Sequence, residues 1–400
     1  MYSILNDHIL HITCLTANYP DGQKIAAARI RYDRPIDPRQ ITAASFRVAG
    51  RRITGISVDG CEVTLPLDPT DALAGILPPP GRPSGAPKNA PPTELPVAVR
   101  RPRSLTLSQL APIRALDGSD LPPTDAPLVS DRSEEPVIRD FLQGEFGGIP
   151  YNLYVPAGAE GPLPLVLFIH DAGPCGPDPL LTLSQGCGAV CFAAPEWQAK
   201  HPCYVLAPQI DRSIHLTSNG FRAAPELETI KALLDDVISR YPVDRSRVYA
   251  TGQSMGCMAS CELNIRYPKL FAASLLVAGQ WSPERMAERC ADCRFWIFVS
   301  EHDARAFPGM NAVTEAMEAA GARVGRYRWD AKESPEALAA LAREALGDDA
   351  AVRYTVFCGS SVVPPEGDDT PGGNHTSTWN AVYPIEPVRE WLFSCRRDDV

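Results

Sequence analysis

The feature that most restricts the fold is a five-residue pattern, Gly252-Gln253-Ser254-Met255-Gly256, placed between two contrasting segments. Before it runs Arg247-Val248-Tyr249-Ala250-Thr251, apolar and β-branched enough to read as a buried strand. After it, residues 255–267 read as a helix stopped by Pro268. A strand that turns into a helix within one residue needs a strained backbone at the turn. It also needs glycines on either side, because a Cβ there collides with neighbouring elements. The turn lifts the Ser254 hydroxyl above the end of a sheet, beside a helix N-terminus. GxSxG by itself is a weak signal; the strand before it and the helix after it make it a strong one.

The rest of the C-terminal region fits such a sheet. Apolar runs at 163–169, 203–208, 272–278, 295–299 and 352–357 alternate with helical patterns, the signature of a mostly parallel sheet covered on both faces. Residues 151–156 read as an early antiparallel strand. Residues 225–240 place Leu227, Ile230, Leu233, Leu234 and Val237 on one helical stripe. Residues 326–350 read as an insertion containing an exposed, Ala-rich helix at 334–345.

The N-terminal region has a different period. Short alternating runs at 11–16, 25–32, 46–48, 53–58 and 61–65, with a turn at Pro20-Asp21-Gly22, predict a small β-sandwich. Residues 66–96 are rich in Pro, Gly and Ala and read as a long loop, with strand-like sequence resuming at 96–107. The expected division is a β domain over 1–130, a linker over 131–145 and an α/β domain over 146–400.

A serine hydroxyl needs a base to take its proton. In sheets of this kind the order along the chain is Ser, acid, His. Only His302 and His375 follow Ser254. His375 lies in the polar run Gly372-Gly373-Asn374-His375-Thr376, read as a loop after the last strand, and is the expected base. Asp303 follows the strand 295–299 and is the expected acid, with Glu301 as the alternative. Two backbone N–H groups are needed for the oxyanion. Met255 is expected to supply one, and the loop His170-Asp171-Ala172-Gly173 the other, from Ala172 or alternatively Asp171. A carboxylate at Asp171 must then point away from the developing charge.

Composition excludes several classes. The chain has 400 residues and a formal net charge of −10, which argues against an electrostatic nucleic-acid binder. No apolar run approaches the roughly 18 residues of a membrane span. The N-terminus has no basic and apolar leader pattern, so a cytoplasmic location is expected, or a secreted one had a leader been trimmed. No His/Cys spacing closes a metal site, and no cofactor is expected. The twelve cysteines include a CxxC at Cys290 and Cys293 without a second half; they read as buried thiols, with a local disulfide as the alternative.

These segments together resemble a known group. Leu-Phe-Ile-His-Asp-Ala-Gly (167–173), Val-Leu-Ala-Pro-Gln (205–209), the run 243–256 and Asn-His-Thr-Ser-Thr-Trp (374–379) are similar to bacterial α/β-hydrolase esterases known as predicted peptidases. That group is related to polyhydroxybutyrate-depolymerase-like and feruloyl-esterase-like hydrolases. The resemblance covers roughly residues 140–396. The N-terminal β region resembles the immunoglobulin-like domain of thermophilic esterases. The resemblance implies an α/β-hydrolase fold and a serine carboxylesterase with triad Ser254, Asp303 and His375. It implies Met255 and Ala172 as oxyanion donors and no cofactor. It implies a substrate pocket that includes Asp171, Gln253 and Trp281, Trp281 being alternatively a packing residue. Asp171 and Cys257 depart from the group's usual glycines, which bears on substrate choice. Peptidase activity at the same triad, or an inactive hydrolase-fold binding protein, remain the alternatives. The expected partner is a small-molecule ester. The N-terminal domain, which lacks an aromatic row for carbohydrate, is expected to mediate self-association or to cover the active site.

Overall fold

In the computed structural model, residues 7–78, 97–158 and 161–397 are described. They form two compact units, residues 7–78 with 100–139, and residues 97–99 with 140–397.

The first unit is a β-sandwich. One sheet has the order Arg132–Glu134, Ile9–Tyr19, Gly22–Tyr32, Glu62–Pro66, Ser57–Asp59. The other pairs Phe46–Val48 and Leu128–Val129 with Thr106–Gln109. The expected turn at Pro20-Asp21-Gly22 joins the two longest strands, and Gly22 takes φ 127°, a conformation that favours glycine. Alternation puts Ile12, Ile30, Val63, Leu65 and Leu107 into one core with no exposed surface. The Tyr32 hydroxyl bonds the Gln109 side chain within that core at 2.9 Å.

Three expectations for this region are corrected. Residues 67–78 are not a free loop. The Ile25 N–H donates to Ala74 O and the Ile76 N–H to Gln23 O, so the segment is bound along a sheet strand and buries Leu67, Ala74 and Ile76. The rest of the expected loop, 79–96, lies outside the described residues. Of the strand expected over 96–107, the described residues 97–105 are not in a strand, which begins at Thr106. The expected linker 131–145 is absorbed at both ends: Arg132–Glu134 pairs in parallel with Ile9–Tyr19, and Phe141–Phe146 is an edge strand of the second unit.

The second unit is built on nine strands in the order Phe141–Phe146, Ile149–Tyr154, Tyr204–Pro208, Leu163–Ile169, Val243–Gln253, Ala273–Val277, Phe295–Ser300, Val352–Phe357, Val324–Trp329. The first two are antiparallel to their neighbours and the rest are parallel. This is the α/β-hydrolase fold. Strand residues alternate between two helix layers. Leu165, Leu167 and Ile169 meet the helix Glu226–Arg240, whose expected stripe of Leu227, Ile230, Leu233, Leu234 and Val237 is wholly buried. Each such side chain contributes roughly 1.5–3 kcal/mol. Further along the same face Ile297 and Val299 meet Met310, Val313 and Met317 of Ala306–Ala319. On the opposite face Phe168 packs against Tyr383 and Trp296 against Trp391.

The expected insertion at 326–350 is also corrected. Val324–Trp329 is the edge strand of the sheet, and only the helix Pro335–Leu346, capped by the Ser334 hydroxyl, stands beyond it. All twelve cysteines are free thiols. Among the described residues no helix is long and apolar enough to cross a membrane, and no three His, Cys, Asp or Glu side chains are grouped to hold a metal ion.

Candidate active site

Val243–Gln253, a central strand, runs directly into the helix Met255–Arg266, and Ser254 is the hinge. Its backbone sits at φ 52°, ψ −115°, a costly conformation for a residue with a side chain. The glycine argument holds in detail. A Cβ on Gly252 meets Ile169 O at 2.6 Å, and a Cβ on Gly256 meets the same oxygen at 1.8 Å. The helix start is therefore pressed against the end of Leu163–Ile169, which brings Met255 close to the loop 170–173.

His375 reaches Ser254 from the last third of the chain. Its Nε2 lies 2.8 Å from Ser254 Oγ, and its Nδ1 lies 2.5 Å from Asp303 Oδ2. The other Asp303 oxygen accepts the N–H groups of Arg305 and Ala306, each at 3.0 Å. Asp303 thus stands at the start of the helix Ala306–Ala319 with both oxygens engaged, and is buried. Burial pushes its carboxyl up. The His375 hydrogen bond, the His375 charge and the two N–H groups outweigh that and hold it below its ordinary value of 3.8.

His375 does not lie in a loop, as the Gly-rich run suggested. It belongs to the helix Pro371–Val382. The Thr370 hydroxyl accepts the Gly373 N–H as an N-cap, and Pro371 occupies the first turn. Gly373 is there for close approach, since its Cβ falls 1.7 Å from Asp368 O. Asn374 fastens this helix to the acid strand: the Ser300 hydroxyl donates to its side-chain oxygen at 3.0 Å. Glu301, the alternative acid, turns away to Arg328 and the Gly359 N–H. His302 bonds the Ser360 hydroxyl.

The loop 170–173 is held from beneath. The buried His170 accepts the Ile210 N–H on Nε2 at 2.9 Å, which places its proton on Nδ1, donating to Asp171 O at 2.6 Å. Burial pushes the His170 pKa down, so the ring stays neutral and keeps that tautomer. The Asp171 carboxylate accepts the Gly173 N–H at 2.7 Å and the Gln253 side-chain amide at 3.0 Å.

A cleft of about 270 Å³ opens at Ser254, Asp303 and His375, and its walls include Asn219, Met258, Gln280, Arg305 and Gly372. None of the three expected pocket residues lines it. Gln253 is buried and holds Asp171. Asp171 is occupied within its own loop. Trp281 is fully buried among core side chains, and its indole N–H donates to Glu262 at 3.0 Å. Residues that do form the walls carry weak signals. Asn219 is marked only by the turn Ser218-Asn219-Gly220, and Arg305 only by its place two residues after the acid.

Trp281 therefore acts on stability. Glu262 is buried and also bonded to Arg266 and Arg285. Trp281→Phe removes one hydrogen bond to this charged group, about 1.5–3 kcal/mol. Thermal denaturation is expected to shift down by about 3–12 °C, with KM little changed. An unshifted midpoint with a raised KM returns Trp281 to the pocket.

Residues 11–122 match the model of the Esterase Ig-like N-terminal domain. That part of the chain is similar to this domain and forms the immunoglobulin-like β-sandwich unit. Among curated proteins, poly(3-hydroxyalkanoate) depolymerase C of Paucimonas lemoignei is 29% identical over 171 residues, 38% of this chain and 38% of that protein. Acetylxylan esterase A of Aspergillus awamori is 30% identical over 144 residues, 34% of this chain and 45% of that one. The chain thus spans less than half the length of these curated relatives. The crystal structure of a thermostable esterase matches with a TM-score of 0.79 at 24% identity, over 97% of this chain and all of that one, and shares its fold.

Proposed function

We propose that the chain is a serine carboxylesterase acting through an acyl-enzyme on Ser254. The observation that carries this reading is the unbroken relay from Ser254 Oγ through His375 to a buried, N–H-bound Asp303. His375 Nε2 takes the Ser254 proton as Oγ bonds the ester carbonyl carbon. The carbonyl oxygen becomes an oxyanion, received by the N–H groups of Met255 and Ala172. Among the described residues neither N–H donates to a backbone acceptor within the protein. The Asp171 carboxylate, held by Gly173 and Gln253, leaves that position free of negative charge. The C–O bond then breaks, and the alcohol leaves with the proton from His375. Water, deprotonated by His375, attacks the acyl carbon and releases the acid and Ser254.

The relatives' names, a polyester depolymerase and an acetylxylan esterase, support ester over amide substrates. The cleft volume of about 270 Å³ suits a short acyl group. The test is hydrolysis of phenyl acetate against acetanilide by wild type and Ser254→Ala. Wild type is expected to cleave the ester far faster than the amide, and Ser254→Ala neither. Equal ester rates in the two proteins sink the reading.

A further inference from the structure

The charge around the cleft is one-sided. Asp303 is its acidic wall residue, and both its oxygens are engaged by His375 and two N–H groups. The nearby Glu301 is neutralised by Arg328. Asp171 is committed to Gly173 and Gln253. Arg305, exposed on the same wall, differs from most arginines of this acidic chain. Among the described residues its guanidinium makes no ion pair or hydrogen bond, and only its backbone N–H is used. Beside it in the lining, Gln280 Nε2 donates to Asn219 Oδ1 at 2.9 Å, and among the described residues the Asn219 amide nitrogen has no acceptor. Among the described residues, the cleft that opens at Ser254 thus presents an unpaired cation and an amide donor, and no unpaired anion. An unspent planar cation with five donors, next to a second donor, is suited to a carboxylate.

We propose that Arg305 is a specificity-determining residue that selects esters bearing a carboxylate, the anion being held by its guanidinium while Ser254 attacks the ester carbonyl. This rests on the esterase reading above and narrows its substrates to anionic esters. The carboxylate is carried either on the acyl side, as in a dicarboxylic acid monoester, or on the alcohol side, as in an acylated hydroxy acid.

The test compares each anion with its carboxamide, which has the same shape and no charge. Monoethyl succinate against ethyl succinamate probes the acyl side, and 3-acetoxybutyrate against 3-acetoxybutyramide the alcohol side. Phenyl acetate serves as a control. In wild type at least one anion is expected to exceed its amide by about tenfold in kcat/KM, mostly through KM, as a charge-assisted hydrogen bond gives. Added salt reduces the ratio. Arg305→Gln is expected to bring the ratio to about one, and Arg305→Lys to restore part of it. An anion-to-amide ratio at or below one in both arms overturns the proposal, as does a ratio unchanged in Arg305→Gln. Cleavage of phenyl acetate but of none of the four esters also overturns it and leaves the esterase reading standing. Failure on phenyl acetate as well removes both.

Discussion

Asp303→Asn lowers kcat for ester hydrolysis by about 10³–10⁴ and leaves KM within about threefold. The local geometry gives the reason. One Asp303 oxygen accepts two backbone N–H groups, so an asparagine there keeps its carbonyl oxygen on that side. Its NH₂ then faces His375 Nδ1, where the carboxylate oxygen now lies. A ring that accepts at Nδ1 carries its proton on Nε2 and offers no lone pair to Ser254. The imidazolium formed in the reaction also loses its counter-charge. The same carboxyl affects stability. Its folded pKa is lowered, so its contribution is fully present above about 3.8 and is lost as pH falls through the lowered folded value. The stability gap between wild type and Asp303→Asn should accordingly narrow below pH ~3.8. Steady-state kinetics at neutral pH and denaturation from pH 3 to 7 (about the range needed) check both. A kcat within tenfold of wild type removes Asp303 from the triad.

The second large effect is structural. Gly256→Ala places a methyl group 1.8 Å from Ile169 O, and that oxygen belongs to a buried central strand. Neither the strand nor the helix start can yield without moving Ser254. The expected cost exceeds about 4 kcal/mol, seen as a midpoint at least about 8 °C lower or as loss of soluble protein. Gly220→Ala is the control, since its Cβ meets only the Ser218 hydroxyl oxygen at 3.8 Å. It is expected within about 0.5 kcal/mol of wild type. Equal midpoints for the two variants contradict the close packing of strand and helix at the serine.

What was legible in the sequence was whatever physics repeats or constrains tightly. The Gly252 and Gly256 contacts, the buried stripe on Glu226–Arg240 and the parallel strands follow from periodicity and from a turn few sequences can make. The order Ser, Asp, His also placed three residues at one point, although His375 is 121 positions from Ser254 and 72 from Asp303. Edge strands were not legible. Phe141–Phe146 and Val324–Trp329 each expose part of their length, so they lack the continuous apolar run of a central strand. The helix bearing His375 was hidden because its first turn uses two glycines, one for close approach to Asp368. The cleft was least legible. Asn219, Gln280 and Arg305 come from separate segments, and nothing periodic marks a side chain whose role is to face a ligand. Trp281 illustrates the converse: a large aromatic near the nucleophile in sequence is spent on packing and on Glu262.

The most direct measurement is intact-protein and peptide mass spectrometry after treatment with a fluorophosphonate, run alongside phenyl acetate hydrolysis. Wild type should gain a single phosphonyl group on Ser254 and lose its esterase activity in proportion. Folded Ser254→Ala should gain none and hydrolyse no ester. A label on another residue, or ester hydrolysis that survives in Ser254→Ala, contradicts Ser254 as the nucleophile.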